Sequence, residues 1–531
     1  MKRHRFGART AARLLALLGC AMVLSGCASS YRKDMAATMD ASRAGSLEVA
    51  LGNLEAQNTS TDKSLLYFLE KGELLRMKGA IPESRDHWLQ ADGKVREWEE
   101  AVKTDPAKLL GDIGSFVVND TTRRYDGRDY EKVLLSMRLA LDHLALGDWD
   151  NARVEIKKMH EREAIIAEFR SKDLEDAKSA AEGKGLKTTS FKELNGYPVE
   201  TLTAPEVVAL KNSYESAVAN YLAGFIYESQ GELSLAAAGY RKAIEMRGGD
   251  PFLEDALQTL EQRNGASRAA DARVDTLFIV ESGHAPAISS RTLPIPLPIP
   301  SSGGIQVVMT PLSWPVVEPV DMVADLPTGL RIDDEARPLS LVTNVDHMAR
   351  RALADEMPGI IARSSIRAIA KGAAQKVVQD NTRGLGLAGA LISIAASVTA
   401  VASEGADERL WRTQPGFYSI SRASLPAGSH RVVVDTSSGP FAHDVQVSGK
   451  HAVVVLRHTG NNLYVTQPPY TETAPAVASA PAAPPVEAVV APAAEAAPAK
   501  VNAAKKASAS PKTKAVPKTK APAKNQQTAA R

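Results

Sequence analysis

Three segments in the first half of the chain share one spacing of small and large residues. Apolar residues recur there at intervals of three and four, the period of an amphipathic helix. A glycine after a helix supplies a positive φ, and an alanine lets a second helix approach closely. The pattern predicts helical hairpins packed through the following positions: Gly72, Gly79 and Trp88; Gly147, Trp149 and Ala152; Gly224, Tyr227, Gly231, Ala236 and Tyr240.

The hairpin pattern resembles the tetratricopeptide repeat, whose signature places small residues where paired helices touch and large ones where they interlock. Its spacing here is irregular: Gly79 and Gly147 lie two family periods apart, whereas the interval from Gly147 to Gly231 is no multiple of the period of 34 residues. An ordinary helical bundle is the alternative. The resemblance implies a concave face that binds an extended peptide or a partner helix.

The amino terminus has the layout of an export signal. Basic residues precede an apolar run that is too short to span a bilayer and remain there. Leu24, Ser25, Gly26 and Cys27 resemble the lipobox of bacterial lipoproteins, in which the cysteine is diacylated and becomes the new amino terminus. Ala28 in the next position, rather than Asp, resembles the signal for sorting to the outer membrane. The alternative is an unmodified thiol after ordinary cleavage.

The pattern changes at Val274. Segments rich in β-branched and aromatic residues, bounded by Gly, Pro and Ser, predict strands at 274–281, 305–310, 416–423, 430–435 and 451–458. Between the first two, the prolines of LPIPLPIP (293–300) predict an extended arm or a stiff loop and exclude a regular ladder. Helical periodicity returns from 346 to 379.

These patterns together predict an α+β chain. Its parts are a signal peptide at 1–26, a lipidated linker at 27–40, a tetratricopeptide-like helical domain at 41–265, a smaller β-rich domain at 274–467 with a helical insertion at 346–403, and a disordered tail at 468–531.

The tail is a mixture of Ala, Pro and Lys that cannot bury enough apolar surface to fold. The segment from Lys500 to Arg531, both included, contains nine basic residues and no acidic one, although the formal net charge of the whole chain is only +2. In the periplasm their anions would be peptidoglycan carboxylates or lipopolysaccharide phosphates, and nucleic acid is excluded by the compartment. The predicted polyanion-binding residues are Lys505, Lys506, Lys512, Lys514, Lys518, Lys520 and Lys524. A solvating tail without a fixed partner is the other interpretation.

Motifs that would indicate an enzyme are weak. Gly384, Gly386 and Gly389 spell G-x-G-x-x-G, but they follow a helical pattern rather than a strand. The stretch from Leu385 to Ser403 approaches bilayer length, yet its many small residues favour a buried, closely packed helix over membrane contact. The sequence predicts no catalytic activity, no cofactor and no metal.

Three stretches resemble a family of uncharacterised bacterial lipoproteins with helical repeats: 119–155, 281–286 (ESGHAP) and 406–415 (ADERLWRTQP). The resemblance covers most of residues 27–467, and Gln414 departs from it because a leucine is usual there. The resemblance implies where the protein is located, but the family has no established activity. Some relatives are thought to accompany lipoproteins that activate peptidoglycan synthases.

The sequence therefore predicts a periplasm-facing outer-membrane lipoprotein that acts as a protein-binding scaffold for envelope proteins in cell-envelope assembly. One alternative is a structural tether that binds peptidoglycan or other envelope polyanions through the tail. Another is a component of a membrane-inserted export assembly.

Overall fold

Helical hairpins form the first half of the chain. In the computed structural model the described residues are 31–104, 124–182, 196–266, 273–301, 304–382 and 405–468. The hairpins described there pair α1 (Tyr31–Arg43) with α2 (Leu47–Gln57), α3 (Leu65–Met77) with α4 (Ile81–Thr104), α5 (Asp129–Ala145) with α6 (Trp149–Glu182), and, after the short helix α7 (Pro205–Val208), α8 (Ala217–Ser229) with α9 (Leu233–Met246). Two shorter helices follow, α10 (Pro251–Gln258) and α11 (Leu260–Ala266).

Several predicted features lie outside the described residues. These are the signal peptide, the lipobox with Leu24, Ser25, Gly26 and Cys27, the stretch from Leu385 to Ser403 with the three glycines Gly384, Gly386 and Gly389, and the tail with its seven singled-out lysines.

One type of turn closes each of the described hairpins. A glycine with φ between 78° and 85° stands two residues after the first helix: Gly45, Gly79, Gly147 and Gly231. In the third hairpin the N–H of Gly147 donates to the Leu144 carbonyl and that of Asp148 to the His143 carbonyl, and the equivalent two bonds recur in the others. This is the Schellman motif, whose positive φ favours glycine because glycine has no Cβ.

The first hairpin corrects the sequence prediction. Residues 27–40 are expected to be a linker, but helix α1 begins at Tyr31 and buries Met35 and Met39. The linker prediction is therefore wrong from Tyr31 onward. Two of the four buried residues of this helix, Thr38 and Ser42, are polar, so the sequence shows only a short apolar stripe of Met35 and Met39.

Strands dominate the second half. The bounds of the described strands are β1 (Arg273–Ser282), β2 (Ile288–Ser301), β3 (Gly304–Val317), β4 (Pro327–Ile332), β5 (Glu335–Arg337), β6 (Ser340–Asn344), β7 (Phe417–Pro426), β8 (Gly428–Thr436), β9 (Gly439–Val447), β10 (His451–Thr459) and β11 (Asn462–Thr466). Each segment predicted as a strand coincides with one of them, and the one at 416–423 starts a single residue before β7. Two helices interrupt the series, α12 (Met322–Asp325) and α13 (Val345–Thr382), and α13 confirms the helix predicted from 346 to 379.

The described strands form two sheets and a ribbon. One sheet has the order β11-β10-β1-β7-β6, the other has the order β5-β4-β8-β9, and β2 pairs with β3 alone. Strands β1 and β10 are parallel, and the other pairs are antiparallel.

The proline-rich segment forms a ladder. Strand β2 pairs with β3 along its whole length, from Ile288 opposite Val317 to Ser301 opposite Gly304. In an antiparallel pair only alternate residues bond to the partner strand, and the prolines of 293–300 recur at every second residue. The residues between them supply the bonds, so the prediction that these prolines exclude a ladder is wrong.

Helices and strands share the largest hydrophobic cluster of the described residues. The largest buried cluster joins side chains of α5 and α8, such as Leu134 and Phe225, to Leu277 and Ile279 of β1. The opposite face of β1, including Phe278, packs between the two sheets in a second cluster. The α+β class is confirmed, and the segments predicted as a helical domain at 41–265 and a β-rich domain at 274–467 pack directly against each other.

Candidate functional site: a buried charged seam

The first helix of each of the later three hairpins is almost completely buried. All 17 residues of α5 are buried, as are 12 of the 13 residues of α8. Their partners α6 and α9 cover one side, and strands cover the other, since α5 contacts β10 and α8 contacts β6 and β7. The resemblance to the tetratricopeptide repeat predicts that a partner binds the concave, inner face of the hairpins. Strands of the same chain occupy that face.

Ion pairs join the helices to the sheet across this boundary. Arg138 of α5 bonds to Glu281 of β1, and its Nη2 lies 2.5 Å from Glu73 Oε2 on α3. Arg457 of β10 approaches the other oxygen of Glu73 at 3.5 Å. We call these four residues, together with the buried pair of Arg76 and Asp142, the charged seam.

The charges of the seam balance. Its three arginines and three carboxylates are each at most 4% exposed. Burying a charge costs several kcal/mol unless a partner of opposite sign compensates it, so each group depends on its neighbours. Burial raises the pKa of Glu73, and the nearby Arg138 guanidinium opposes that shift.

Two carboxylates beside the seam hold the backbone of one extended segment. Glu70 of α3 accepts bonds from the N–H of Arg412 at 2.7 Å and of Thr413 at 2.8 Å. Glu131 of α5 accepts the N–H of Trp411 at 2.6 Å. Three consecutive peptide groups are therefore held by helices of two different hairpins.

Each of these two carboxylates also accepts hydrogen bonds from other donors. Glu70 also accepts from the hydroxyls of Tyr31, at 2.8 Å, and of Thr413, at 2.6 Å. Glu131 also accepts from the Tyr125 hydroxyl at 2.5 Å and from the N–H of Arg128 at 2.9 Å. When the carboxyl group is ionised, hydrogen bonds of this kind are roughly twice as strong as neutral ones. Tyr31 thereby fixes the start of α1 to the same site.

The three stretches that resemble the lipoprotein family meet here. Residues 119–155 supply Arg138, residues 281–286 supply Glu281, and residues 406–415 supply the segment held by Glu70. The stretches also bond to one another, since the N–H of Ala285 donates to the Gln414 carbonyl at 2.9 Å. The Gln414 side chain, in the position where the family pattern has leucine, is buried and donates to the Trp411 carbonyl at 3.0 Å.

A buried histidine links α1 to this region. His284 lies 3.5 Å from the Ser42 hydroxyl and 3.3 Å from that of Thr459. Burial lowers the pKa of His284 well below its ordinary value, and the positive charge of Arg457 lowers it further. The imidazole is therefore neutral near pH 7 and acts as a polar bridge between α1 and β10.

The repeat-packing residues predicted from the sequence lie at the interfaces within hairpins. A Cβ on Gly72 would stand 2.2 Å from Trp88, and one on Gly224 would stand 2.7 Å from Tyr240. Ala152 and Ala236 are completely buried where their helices meet. These residues pack the scaffold, and Trp88 also lies against the charged seam, with the Arg138 guanidinium 5.3 Å from its ring centre.

The remaining predicted packing residues flank the hairpin turns. Gly79, Gly147 and Gly231 occupy the positive-φ positions described above. Trp149 is half-buried beside Phe225, and Tyr227 is buried.

The sequence prediction missed the seam itself. A usable signal was present in α5, where Arg138 and Asp142 interrupt the otherwise apolar run VLLSMRLALDHLA at a spacing of four. Charges at such positions indicate buried ion pairs when the rest of the helix has no polar face.

A cleft of about 560 Å³ opens beside the seam. Glu70 and Tyr31 contribute to its wall, and the charged side chains around it include the pairs of Lys94 with Asp62, at 3.2 Å, and Arg124 with Glu97, at 2.8 Å. Among the described residues no group of His, Cys, Asp and Glu is arranged to hold a metal ion. Within the same residues no helix has the length and apolar character needed to cross a membrane.

Comparisons of the chain with protein-family models, with curated proteins and with solved structures gave no match.

The buried carboxyl groups should make stability depend on pH. Burial raises the pKa of Glu131 to about 7 and that of Asp142 to about 6, whereas carboxyl groups of an unfolded chain titrate near pH 4. The folded state therefore keeps protons that the unfolded state releases, and the free energy of unfolding should fall as the pH rises from about 4 to 7. At about 1.4 kcal/mol per pKa unit, Glu131 alone accounts for on the order of 3 kcal/mol.

A carboxyl group whose pKa is lowered in the folded state has the opposite effect, and its effect falls at low pH. Burial alone would raise the pKa of Asp129, but the charges and hydrogen bonds of Arg170 and Lys132 together outweigh burial and hold that pKa at about 2. The stability that Asp129 contributes is therefore lost only under acid conditions. Thermal unfolding between pH 5 and 8 measures the slope. Glu131→Gln should flatten it, and Glu83→Gln, at an exposed position of α4, should leave it unchanged. A wild-type midpoint that rises over this range would contradict the assignment.

Proposed function

We propose that this chain is a lipid-anchored protein on the periplasmic face of the outer membrane and that it acts as a protein-binding scaffold in cell-envelope assembly. It carries out no catalysis and needs no cofactor. The observation that carries the proposal is the lipobox ending at Cys27, four residues before the first described helix.

The short connection to that helix supports anchoring close to the membrane. Four residues can span at most about 14 Å, so an acylated Cys27 would keep Tyr31 within that distance of the lipid surface. Tyr31 is bonded to Glu70 and is not at the end of a loose arm. Two or three acyl chains on one residue would give stable attachment.

The hairpins support the scaffold part of the proposal. Their common turn and the packing of Gly72 on Trp88 and of Gly224 on Tyr240 fit a tetratricopeptide-like unit. Since the inner face holds strands of the same chain, the side available to a partner is the outer side of the second helices. Val154 of α6 and Leu235 of α9 are each 43% exposed on those helices.

Anchoring can be tested with two substitutions. Cys27→Ser should abolish acylation, because the serine hydroxyl cannot form the thioether, and mass spectrometry of the amino-terminal peptide should show no lipid. Ala28→Asp should leave the lipid in place and retain the protein in the inner membrane, as membrane fractionation would show. An unacylated amino terminus in the wild-type protein would refute the proposal.

Partner binding can be tested by site-specific photo-crosslinking in cells. A photoreactive residue at Val154 or Leu235 should give discrete adducts with periplasmic proteins, identified by mass spectrometry. The same residue at Gln446, exposed on β9, is the matched control and should give none. Equal adduct patterns at all three positions would count against the outer helical face as the binding surface.

A further inference from the structure

The ribbon of β2 and β3 has two edges of different hydrogen-bonding capacity. The N–H of Glu318 donates to the Ala287 carbonyl at 2.8 Å, just before the first ladder pair of Ile288 with Val317. In an antiparallel ladder such bonded pairs alternate with pairs whose N–H and C=O groups point away from the partner strand. Odd-numbered residues of β2 therefore face β3, and even-numbered residues face outward.

Two contacts at the base of the ribbon agree with this alternation of facing and outward residues. The outward N–H of Ser290 donates to Glu408 at 3.0 Å. The outward carbonyl of Pro315, opposite Ser290 in the ladder, accepts the Tyr197 hydroxyl at 2.9 Å.

Every proline of the ribbon falls on an outward position. Four are in β2 and two are in β3: Pro294, Pro296, Pro298, Pro300, Pro311 and Pro315. Proline has no N–H to donate, so the outer edge of β2 offers acceptors without donors from 294 to 300. Another strand cannot extend the sheet on that side.

The outer edge of β3 differs. Between Pro311 and the tip of the ribbon, the outward positions are Ile305, Val307 and Met309, each with an N–H and a C=O. No other strand of the described chain is hydrogen-bonded to this edge. An edge that lacks a paired neighbour, as the outer edge of β3 does among the described residues, is a template for pairing with another strand.

We propose that the β3 edge from Ile305 to Met309 pairs antiparallel with the same edge of a second copy of this chain. A two-fold axis at Val307 would place Ile305 of each copy opposite Met309 of the other, so that each of the three donors meets an acceptor. Such an isologous contact uses one patch on both copies.

Two further features favour a second copy as the occupant. The sequence has no charged residue between Arg291 and Glu318, so two identical ribbons meet without like-charge repulsion. The combined sheet would have the order β2-β3-β3-β2 with a proline-sealed edge on each side. Growth would therefore stop at a dimer.

Oligomeric state measured by light scattering on the full chain in nonionic detergent tests the pairing. The wild-type chain should be a dimer, and Val307→Pro should be a monomer with unchanged thermal unfolding, because it removes an outward donor and leaves the bonds between β2 and β3. Replacing Pro296 and Pro298 together with alanine should yield assemblies larger than a dimer, since it restores donors on the sealed edge. A monomeric wild-type chain, or a dimer unaffected by these changes, would overturn the proposal.

Disulfide trapping locates the contact independently of acylation. In a background with Cys20→Ala and Cys27→Ala, the variant Val307→Cys should form a covalent dimer under mild oxidation, since residues paired across an antiparallel ladder have Cα atoms about 5.5 Å apart. The matched control is Leu297→Cys, on the sealed strand of the same ribbon. Equal trapping at both positions, or covalent adducts with other proteins in place of the dimer, would exclude the self-pairing.

Discussion

Replacement of Arg138 by methionine should destabilise the folded chain by about 4 kcal/mol. Methionine fills the space of the arginine stem but leaves Glu73 and Glu281 facing each other, with both carboxylates completely buried. Removing one partner of a buried ion pair costs about 3–5 kcal/mol, because the remaining charge is uncompensated. Urea unfolding followed by circular dichroism at pH 7.5 measures the loss.

The loss should depend on pH and on the remaining charges. Burial already raises the pKa of Glu73, and without Arg138 its protonation relieves the repulsion, so the destabilisation should be smaller at pH 5 than at pH 8. Adding Glu281→Gln to the variant should recover at least half of the loss, because Glu73 still lies beside Arg457.

A surface ion pair provides the control for Arg138. Arg85 and Asp86 lie 2.7 Å apart at the exposed side of α4. Exposed pairs contribute at most about 1 kcal/mol, so Arg85→Met should change the free energy of unfolding little. If Arg138→Met cost no more than Arg85→Met, the seam would have no role in holding the helices to the sheet.

Local patterns explain why the hairpins were predictable. A few residues around Gly147 contain the whole turn: the helix end, the positive φ and the two backbone bonds that close it. The strands were predictable for a similar reason, since segments such as HAVVVLRH have a composition that suits a buried, extended chain.

The seam was not predictable because its partners are far apart in sequence. Glu70 and Thr413 are separated by 343 residues, and Arg138 and Glu281 by 143. No spacing rule connects such positions, and each residue alone is compatible with a solvated surface. Their pairing follows from the packing of the hairpins against the sheet, which the sequence pattern does not specify.

The proline-rich ribbon shows a different limit of prediction from sequence. Proline breaks a ladder where it occupies a position whose N–H should face the partner strand, because proline has no N–H to donate. In β2 the prolines alternate with Leu293, Ile295, Leu297 and Ile299, so the same rule leaves one edge intact and seals the other. The ladder is indicated by the recurrence of proline at every second residue, and the number of prolines does not indicate it.

The occupied inner face changes the interpretation of the hairpins. Glu70 and Glu131 hold backbone N–H groups of Trp411 to Thr413, which is how a repeat groove could hold a peptide from another protein. Here the peptide belongs to the same chain and is separated from α5 by more than 250 residues. On the proposed scaffold function, a partner would therefore bind elsewhere, on the outer helical side or at the β3 edge.

The close packing of the second hairpin leads to the other large expected effect. Gly72→Ala should lower the free energy of unfolding by about 3 kcal/mol, since the new Cβ would stand 2.2 Å from the Trp88 ring. Trp88 is completely buried, donates to the Leu69 carbonyl at 3.2 Å and packs edge-on against Trp411 at 5.9 Å. It has no room to retreat, so α3 and α4 must separate.

Gly93→Ala on α4 is the matched control with an effect of opposite sign. A Cβ at Gly93 would meet no atom within 4 Å, and alanine is favoured over glycine inside a helix by about 0.5–1 kcal/mol. Urea unfolding should therefore show Gly93→Ala slightly more stable than wild type and Gly72→Ala much less stable. Trp88→Phe should recover part of the loss when combined with Gly72→Ala, because the smaller ring makes space for the methyl group. Equal effects of the two alanine substitutions would mean that the helices adjust freely, and that contact of Gly72 with Trp88 does not set their separation.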